Sequence, residues 1–449
     1  MYNKTLTFFI GTLLIITLFS GCIEKENYEN DLDKTYDEIA IEFIMFLGNN
    51  NYQNAYLLFN EEMKSALTLE QLEELWDYYT STYGQFQSIQ NSQYKTINGY
   101  DLVYVNCSFE KGYIIVFRIV FDTQKDISGF WQDEIKTLNT YKAPEYINNS
   151  NFTELNITIG NNPWQLPATL SIPNGNEPFS CVILIHGSGP NDKDETIGPN
   201  KPFKDIAWGL ATNGIAVLRY DKRTFVYPNK IANDKDFTIR EEIIDDVLQA
   251  IDTLTVQSYA PIDKIFILGH SLGGMMAPKI ASLNPSISGA ILMAAPARPL
   301  EDLILDQTKY LNNLDGNIDT SEQELIDEIE QDIQKIKTLN ISENESVFTL
   351  YKAYWEYLNS YHQVEIAQNL SMPLLILQGK RDYQISYEED YTIWYDSFQQ
   401  KDDISFQIYE TLNHLFISGE GTPNNTEYLL EGHVQNKVIE DIVNWIKTR

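Results

Sequence analysis

The stretch Ile265-Phe-Ile-Leu-Gly-His-Ser271-Leu-Gly-Gly-Met-Met276 decides the fold of the larger part of this chain. A short apolar, β-branched run stops at Gly269-His270-Ser271-Leu272-Gly273, and Met275 to Ala281 then read as a helix. A strand that turns this sharply into a helix is a nucleophile elbow, and the side chain pushed out at its apex is the Ser271 hydroxyl. Flanking glycines let strand and helix approach more closely than a side chain would allow. A bare Gly-x-Ser-x-Gly arises by chance in long chains, Gly being about 7% of residues. The strand before it and the helix after it make this one specific.

Outward from the elbow, Val182 to His186, Ile215 to Tyr220, Ala290 to Ala294 and Leu374 to Gln378 are also short, apolar and β-branched, with helical segments between them. Leu155 to Ile159 and Leu166 to Ile172 precede them as a strand pair separated by Gly160-Asn161-Asn162-Pro163. Such alternation predicts an α/β fold, a mostly parallel sheet with helices on both faces. Functional groups then gather on loops at the carboxyl ends of the strands.

Those loops hold a hydrolytic constellation. His186-Gly187-Ser188-Gly189-Pro190 is a Gly-rich turn whose backbone N–H groups suit a developing oxyanion. Ser188 is the expected loop donor, and Leu272, directly after the nucleophile, supplies the other N–H. Gln378-Gly379-Lys380-Arg381-Asp382 offers an acid, and Leu412-Asn413-His414-Leu415-Phe416 follows the strand Ile404 to Tyr409. The order Ser271, Asp382, His414 is the chain order of the α/β-hydrolase triad. Of the five histidines, His270 faces away from the serine in an elbow, His186 belongs to the oxyanion loop and His362 precedes the acid. His414 is therefore the expected base, with His433 the runner-up. Asp221 and Arg223, at another strand end, read as a structural ion pair bracing the oxyanion loop.

From about Leu155 onward the chain resembles a serine α/β-hydrolase of the dienelactone-hydrolase-like and bile-acid acyltransferase-like group. The residues that carry the resemblance are His186-Gly-Ser-Gly-Pro190, Arg219-Tyr-Asp-Lys-Arg223, Gly269-His-Ser-Leu-Gly-Gly274, Ala295-Pro-Ala-Arg-Pro299, Leu377-Gln-Gly-Lys-Arg-Asp382 and Asn413-His-Leu-Phe416. Dienelactone hydrolases proper carry cysteine where this chain has Ser271, so that substrate is not implied. The resemblance implies hydrolysis of a small-molecule carboxylic ester, with no metal or organic cofactor. Thioester or peptide cleavage, or a surface binding protein without turnover, are the alternatives.

Between Pro299 and Leu370, about 300–370, lies an insertion rich in helix formers. Leu325, Ile329, Ile333 and Ile336 fall near helical spacing, which predicts an amphipathic cap helix. Tyr351, Tyr354, Trp355, Tyr357 and Tyr361 follow, either to line a pocket or to dock the cap. Ahead of the hydrolase domain (152–449), residues 38–132 predict a small α+β domain: helices Ile39 to Leu47, Tyr52 to Phe59 and Leu69 to Thr80, then strands Leu102 to Phe109 and Tyr113 to Asp122. Residues 133–151 form a polar linker.

Residues 1–22 carry one Lys and an apolar run, Phe8 to Phe19, then Ser20-Gly21-Cys22. This predicts a signal peptide resembling a lipobox, with lipid on Cys22, a tether over 23–37 and a location outside the cytoplasm at the membrane. The run is shorter than the roughly 20 residues of a spanning helix. A formal net charge of −32 disfavours nucleic acid and anionic headgroups as partners. With three cysteines in all, Cys22, Cys107 and Cys181, one disulfide is the most that can form.

Overall fold

The computed structural model describes residues 34–449 except 98, 138–140, 176–177, 233 and 258. The expected leader with Cys22, and the tether as far as residue 33, lie outside them. The chain divides into two compact units at residues 140 and 141.

The first unit has helices Tyr36–Gly48, Tyr52–Leu57, Glu61–Ala66 and Leu69–Tyr83, then an antiparallel meander of β1 (Phe86–Ile97), β2 (Tyr100–Phe109), β3 (Tyr113–Phe121) and β4 (Ile127–Thr137). Thr35 and Thr68 start the first and last helices with reciprocal capping boxes to Glu38 and Gln71. Trp76 centres the core, its ring 5.7–6.3 Å from those of Tyr79, Phe86, Phe109 and Phe117. Among the described residues the first helix starts at Tyr36, inside the stretch expected to be tether, and β4 runs to Thr137, inside the expected linker. β1 is mostly exposed along its length, so it carries none of the alternation by which a half-buried strand is recognised.

The second unit is built on a single eight-stranded sheet of order β14-β13-β10-β9-β7-β8-β6-β5. Its strands are β5 (Phe152–Ile159), β6 (Leu166–Pro173), β7 (Phe179–Ile185), β8 (Ala216–Tyr220), β9 (Ile262–His270), β10 (Ile287–Met293), β13 (Leu374–Gly379) and β14 (Ile404–Tyr409). Pairing is parallel from β14 to β8 and antiparallel through β6 and β5. β9 is central and covered on both faces: Ile265 and Ile267 enter one core, Phe266 and Leu268 the other. Two-sided burial is why its sequence is continuously apolar rather than alternating. Part of the expected linker packs on this unit, the Tyr141 hydroxyl donating to Asp205 (2.6 Å) and that of Tyr146 to the Val434 carbonyl (2.7 Å).

Between β10 and β13 lie helices Leu300–Asn312, Thr320–Thr338, Lys352–Asn359 and Gln363–Gln368, with a small hairpin of β11 (Ser346–Val347) and β12 (Leu350–Tyr351). The buried stripe of the long helix is Ile326, Ile329, Ile333 and Ile336, with Leu325 only half-buried beside it. Tyr354, Trp355 and Tyr361 dock this insertion: all three are buried in the core that contains Leu272 and Met275 of the elbow helix. The Tyr361 hydroxyl donates to the Met275 carbonyl at 2.5 Å, and Trp355 Nε1 donates to Val347 at 3.2 Å. Among the described residues no helix is long and apolar enough to cross a membrane, and no cluster of His, Cys, Asp and Glu is suited to a metal ion. Cys107 and Cys181 are buried free thiols.

Trp355→Ala should leave a cavity beneath the insertion and cost about 3–5 kcal/mol, as large-to-small changes at buried Trp do. Denaturant unfolding measures this, and a loss below about 1 kcal/mol would contradict the docking role.

Candidate active site

Strand β9 ends in a turn that only a narrow set of residues permits. A side chain on Gly269 would put its Cβ 2.2 Å from the Gly273 carbonyl oxygen, and one on Gly273 would lie 2.3 Å from that of Ile185. Helix Leu272–Leu283 thus starts in backbone contact with the end of β7. Ser271 itself holds φ +53° and ψ −121°, a conformation that costs a non-glycine residue of order 1–3 kcal/mol unless its surroundings fix it. Two main-chain hydrogen bonds do so, Ser271 N–H to the Met293 carbonyl and Met275 N–H to the Ser271 carbonyl, each 2.9 Å.

The parallel strands β13 and β14 end on the same side of the sheet as β9 and lead into the loops that carry Asp382 and His414. Asp382 is 5% exposed. Its Oδ1 accepts from the N–H groups of Gln384 (2.9 Å) and Ile385 (3.0 Å), and its Oδ2 from Gln378 Nε2 (3.2 Å). His414 Nδ1 lies 2.8 Å from the same Oδ2, which leaves Nε2 as the ring nitrogen able to take a proton. The turn presenting His414 is pinned by Asn413, whose Oδ1 accepts from the N–H groups of Leu415 (3.1 Å) and Ile417 (3.2 Å).

On the other side, Gly187 rests against the serine: a Cβ there would lie 3.2 Å from the Ser271 Cβ. Ser188 follows on the exposed rim of the turn. Leu272 is the first residue of its helix, so its N–H is one of those a helix leaves without an internal partner. Among the described residues neither the Ser188 nor the Leu272 N–H has a protein acceptor.

Beneath the turn lies a carboxylate that motif reading did not find. Glu195 is 1% exposed and its Oε1 accepts the Gly187 N–H at 2.8 Å. Its Oε2 sits 2.9 Å from Nδ1 of His270, a charge contact rather than an aligned hydrogen bond, while His270 Nε2 is 2.9 Å from the His414 carbonyl oxygen. His270 faces away from the serine, as an elbow requires, and joins Glu195, beneath the Gly187 turn, to the loop of His414. Burial alone would lower its pKa, but Glu195 outweighs that and raises it. Burial would raise that of Glu195, and the His270 charge turns the net shift downward. The signal available in sequence was only a Glu eight residues beyond the His186-Gly187 turn, on a chain with 64 acidic residues.

The remaining histidines are engaged elsewhere. His186 Nε2 meets the Tyr220 carbonyl at 2.6 Å, and burial holds its pKa down. His433 lies 3.1 Å from Asp205, whose hydrogen bond raises its pKa. His362 precedes the helix Gln363–Gln368. The expected Asp221–Arg223 pair does not form. Asp221 Oδ1 accepts the Lys193 N–H (2.8 Å), and Arg223 pairs with the buried Asp246. A buried acid one helix away competes better for a buried guanidinium than a neighbour whose carboxylate already caps a loop. Lys222, between them, is the residue that reaches the oxyanion turn.

A model of the serine aminopeptidase, S33, family matches residues 177–420. The chain belongs to this family. A second model, for a domain of unknown function, DUF3887, matches residues 40–130 of this S33-family chain. Esterase EstD of Thermotoga maritima is 35% identical over 412 residues, 92% of this chain and 95% of that one. Monoglyceride lipase of Mus musculus is 26% identical over 223 residues, 45% of this chain and 64% of the lipase. Among solved structures, Est1E of Butyrivibrio proteoclasticus superposes with a TM-score of 0.41 at 16% identity, over 65% of this chain and 99% of that one. The chain is thus an α/β-hydrolase and an esterase-like enzyme.

The Glu195–His270 pair gives this S33-family hydrolase a pH signature. The contribution of Glu195, with its folded-state pKa depressed, is complete above its unfolded value, about 4.3, and is lost as pH falls through the folded value. That of His270, raised on folding, is complete below about 6.5 and is lost as pH rises through the folded value. The thermal midpoint of Glu195→Gln should therefore fall below the parent's by more at pH 6 than at pH 9, and an equal gap at both would exclude the ion pair.

Proposed function

We propose that this chain is a membrane-tethered, extracytoplasmic serine esterase that cleaves small carboxylic esters through an acyl-enzyme intermediate. The observation that carries it is the 2.8 Å contact between His414 Nδ1 and Asp382 Oδ2, on the side of the sheet where the parallel strands end and Ser271 stands in its strained turn. In this reading His414 Nε2 takes the Ser271 proton as the hydroxyl oxygen attacks the ester carbonyl, and then delivers it to the leaving alcohol. Asp382, already satisfied by three other donors, keeps the proton on Nδ1 and balances the imidazolium. The N–H groups of Ser188 and Leu272 face the charge that develops on the carbonyl oxygen, a contribution of about 3–4 kcal/mol per donor. Water then repeats the sequence on the acyl-serine.

The likeness to the esterase EstD favours esters, and membership of the serine aminopeptidase family favours amides. The finer kinship with the dienelactone-hydrolase-like group rests on the six motifs of the sequence. Tethering rests on the apolar run Phe8 to Phe19 followed by Ser20-Gly21-Cys22.

Purified parent should hydrolyse p-nitrophenyl esters of short acyl chain, and both Ser271→Ala and His414→Ala should reduce kcat by several orders of magnitude, as loss of a triad member does. A fluorophosphonate should label the parent at Ser271 and leave Ser271→Ala unlabelled. Preference for p-nitroanilides over esters would replace the esterase with a peptidase, and binding without turnover in both forms would replace it with a binding protein. In cells, Cys22→Ser should abolish incorporation of labelled fatty acid, and unchanged incorporation would remove the lipid anchor.

A further inference from the structure

Lys222 is only 1% exposed, although lysine is almost never buried without partners. Its ammonium has three donors, and the structure accounts for all of them. Nζ donates to the Gly187 carbonyl at 2.8 Å and to the Gly189 carbonyl at 3.0 Å, and it pairs with Glu242 Oε1 at 2.5 Å. Glu242 is itself 6% exposed and accepts, through Oε2, the Tyr354 hydroxyl of the docked insertion at 2.8 Å. A buried cation is thus fixed between the insertion and the oxyanion turn.

The Gly187 carbonyl and the Ser188 N–H belong to one peptide group. That group is planar and trans, since the Asn162–Pro163 bond is the cis one among the described residues. In a trans peptide the carbonyl and the N–H point in opposite directions. Holding the Gly187 oxygen toward Lys222, with a weaker second donor from Asn191 Nδ2 at 3.3 Å, therefore turns the Ser188 N–H away from the lysine. The preceding peptide is held as well, because its N–H, on Gly187, is bound to Glu195. Gly187 sits against Ser271, so both peptide planes beside the serine are set by buried charges of opposite sign. A cation on the carbonyl oxygen also draws electron density from the amide and strengthens its N–H as a donor.

We propose that Lys222 is a positioning residue of the oxyanion site, orienting and polarising the Ser188 N–H without touching substrate, and that Tyr354 and Glu242 tie this orientation to the seating of the insertion. The inference rests on the serine-esterase reading. It concerns a residue for which no motif assigned a role, since the sequence pointed instead to its neighbours Asp221 and Arg223.

The test is p-nitrophenyl butyrate kinetics in the full chain. Lys222→Met alone would strand Glu242 in the interior, so the first variant is Lys222→Met with Glu242→Gln. The second, Lys222→Arg, keeps the charge but replaces one compact ammonium by a planar fork that does not serve both carbonyls in the same way. Loss of an oxyanion donor lowers kcat by about 10²–10³-fold. A misdirected donor should therefore lower it by about 10–100-fold in the double variant and by about 5–20-fold in Lys222→Arg, with KM within about threefold of the parent. Affinity for an arylboronic acid, whose serine adduct is tetrahedral and anionic, should fall in parallel with kcat, which a merely structural lysine would not cause. Whichever of the two variants melts cooperatively decides the matter. Retention of kcat within about threefold, or a loss confined to KM, overturns the proposal. Ser271→Ala in the same series separates the two levels: turnover that survives it overturns the serine esterase and this inference together, whereas turnover abolished by it but kept in the Lys222 variants overturns the Lys222 role alone.

Discussion

The site depends on one close approach, that of the helix begun at Ser271 to the main chain at the end of β7. The absence of a Cβ on Gly273 brings helix and strand together, and the chain continuing from β7 is the turn that holds Gly187 and Ser188. Ser271 and the Gly187-Ser188 turn are therefore registered by backbone contact within the sheet rather than by side chains reaching across a cleft. The left-handed φ of Ser271 persists because β10 on one side and the helix's own first turn on the other hold its two main-chain polar groups. Local strain of this size is stable only on a framework buried on both faces, which a central parallel strand provides.

Around that framework the loops are fastened by buried charge. Asp382 with His414, Glu195 with His270, Asp194 with Arg219, Glu242 with Lys222 and Asp246 with Arg223 each pair a carboxylate with a basic side chain inside the fold. Such pairs add little net stability, since desolvation consumes most of their attraction, but removing one partner leaves an uncompensated charge and is costly. They fix geometry more than they add cohesion.

What the sequence made legible follows from the same physics. Strands buried on both faces, such as β7, β9 and β13, advertise themselves as apolar runs, and the chemistry-bearing loops come directly after them, so Ser271, Asp382 and His414 were readable as a set. β1 was not, because a mostly exposed strand has no face to bury and no period to show. Glu195 and Lys222 were hidden for a different reason. Their roles are created by the fold, which brings Asp194-Glu195 beneath the elbow by way of Arg219 (2.9 Å from Asp194) and places Lys222 under a turn more than 30 residues earlier in the chain. Choosing Asp221 and Arg223 instead reflects proximity in sequence, whereas the buried partner of Arg223, Asp246, lies on the helix Asp245–Val256 that precedes β9. The aromatic run from Tyr351 to Tyr361 was ambiguous because helical period does not say which face meets the core, and the hydroxyls of Tyr354 and Tyr361 resolve it by bonding inward.

One feature of the topology separates the parts of the site by mechanical security. Ser271 rises from β9 in the middle of the sheet, whereas Asp382 follows β13 and His414 follows β14, one of the two outermost strands, which is only partly buried and paired on one side. Edges of sheets open at lower free energy than their centres. Opening at this edge therefore displaces the loop of His414 while the central strands, with Ser271, stay intact. Activity lost by that route reports the peeling of an edge, an event separate from the collapse of the core.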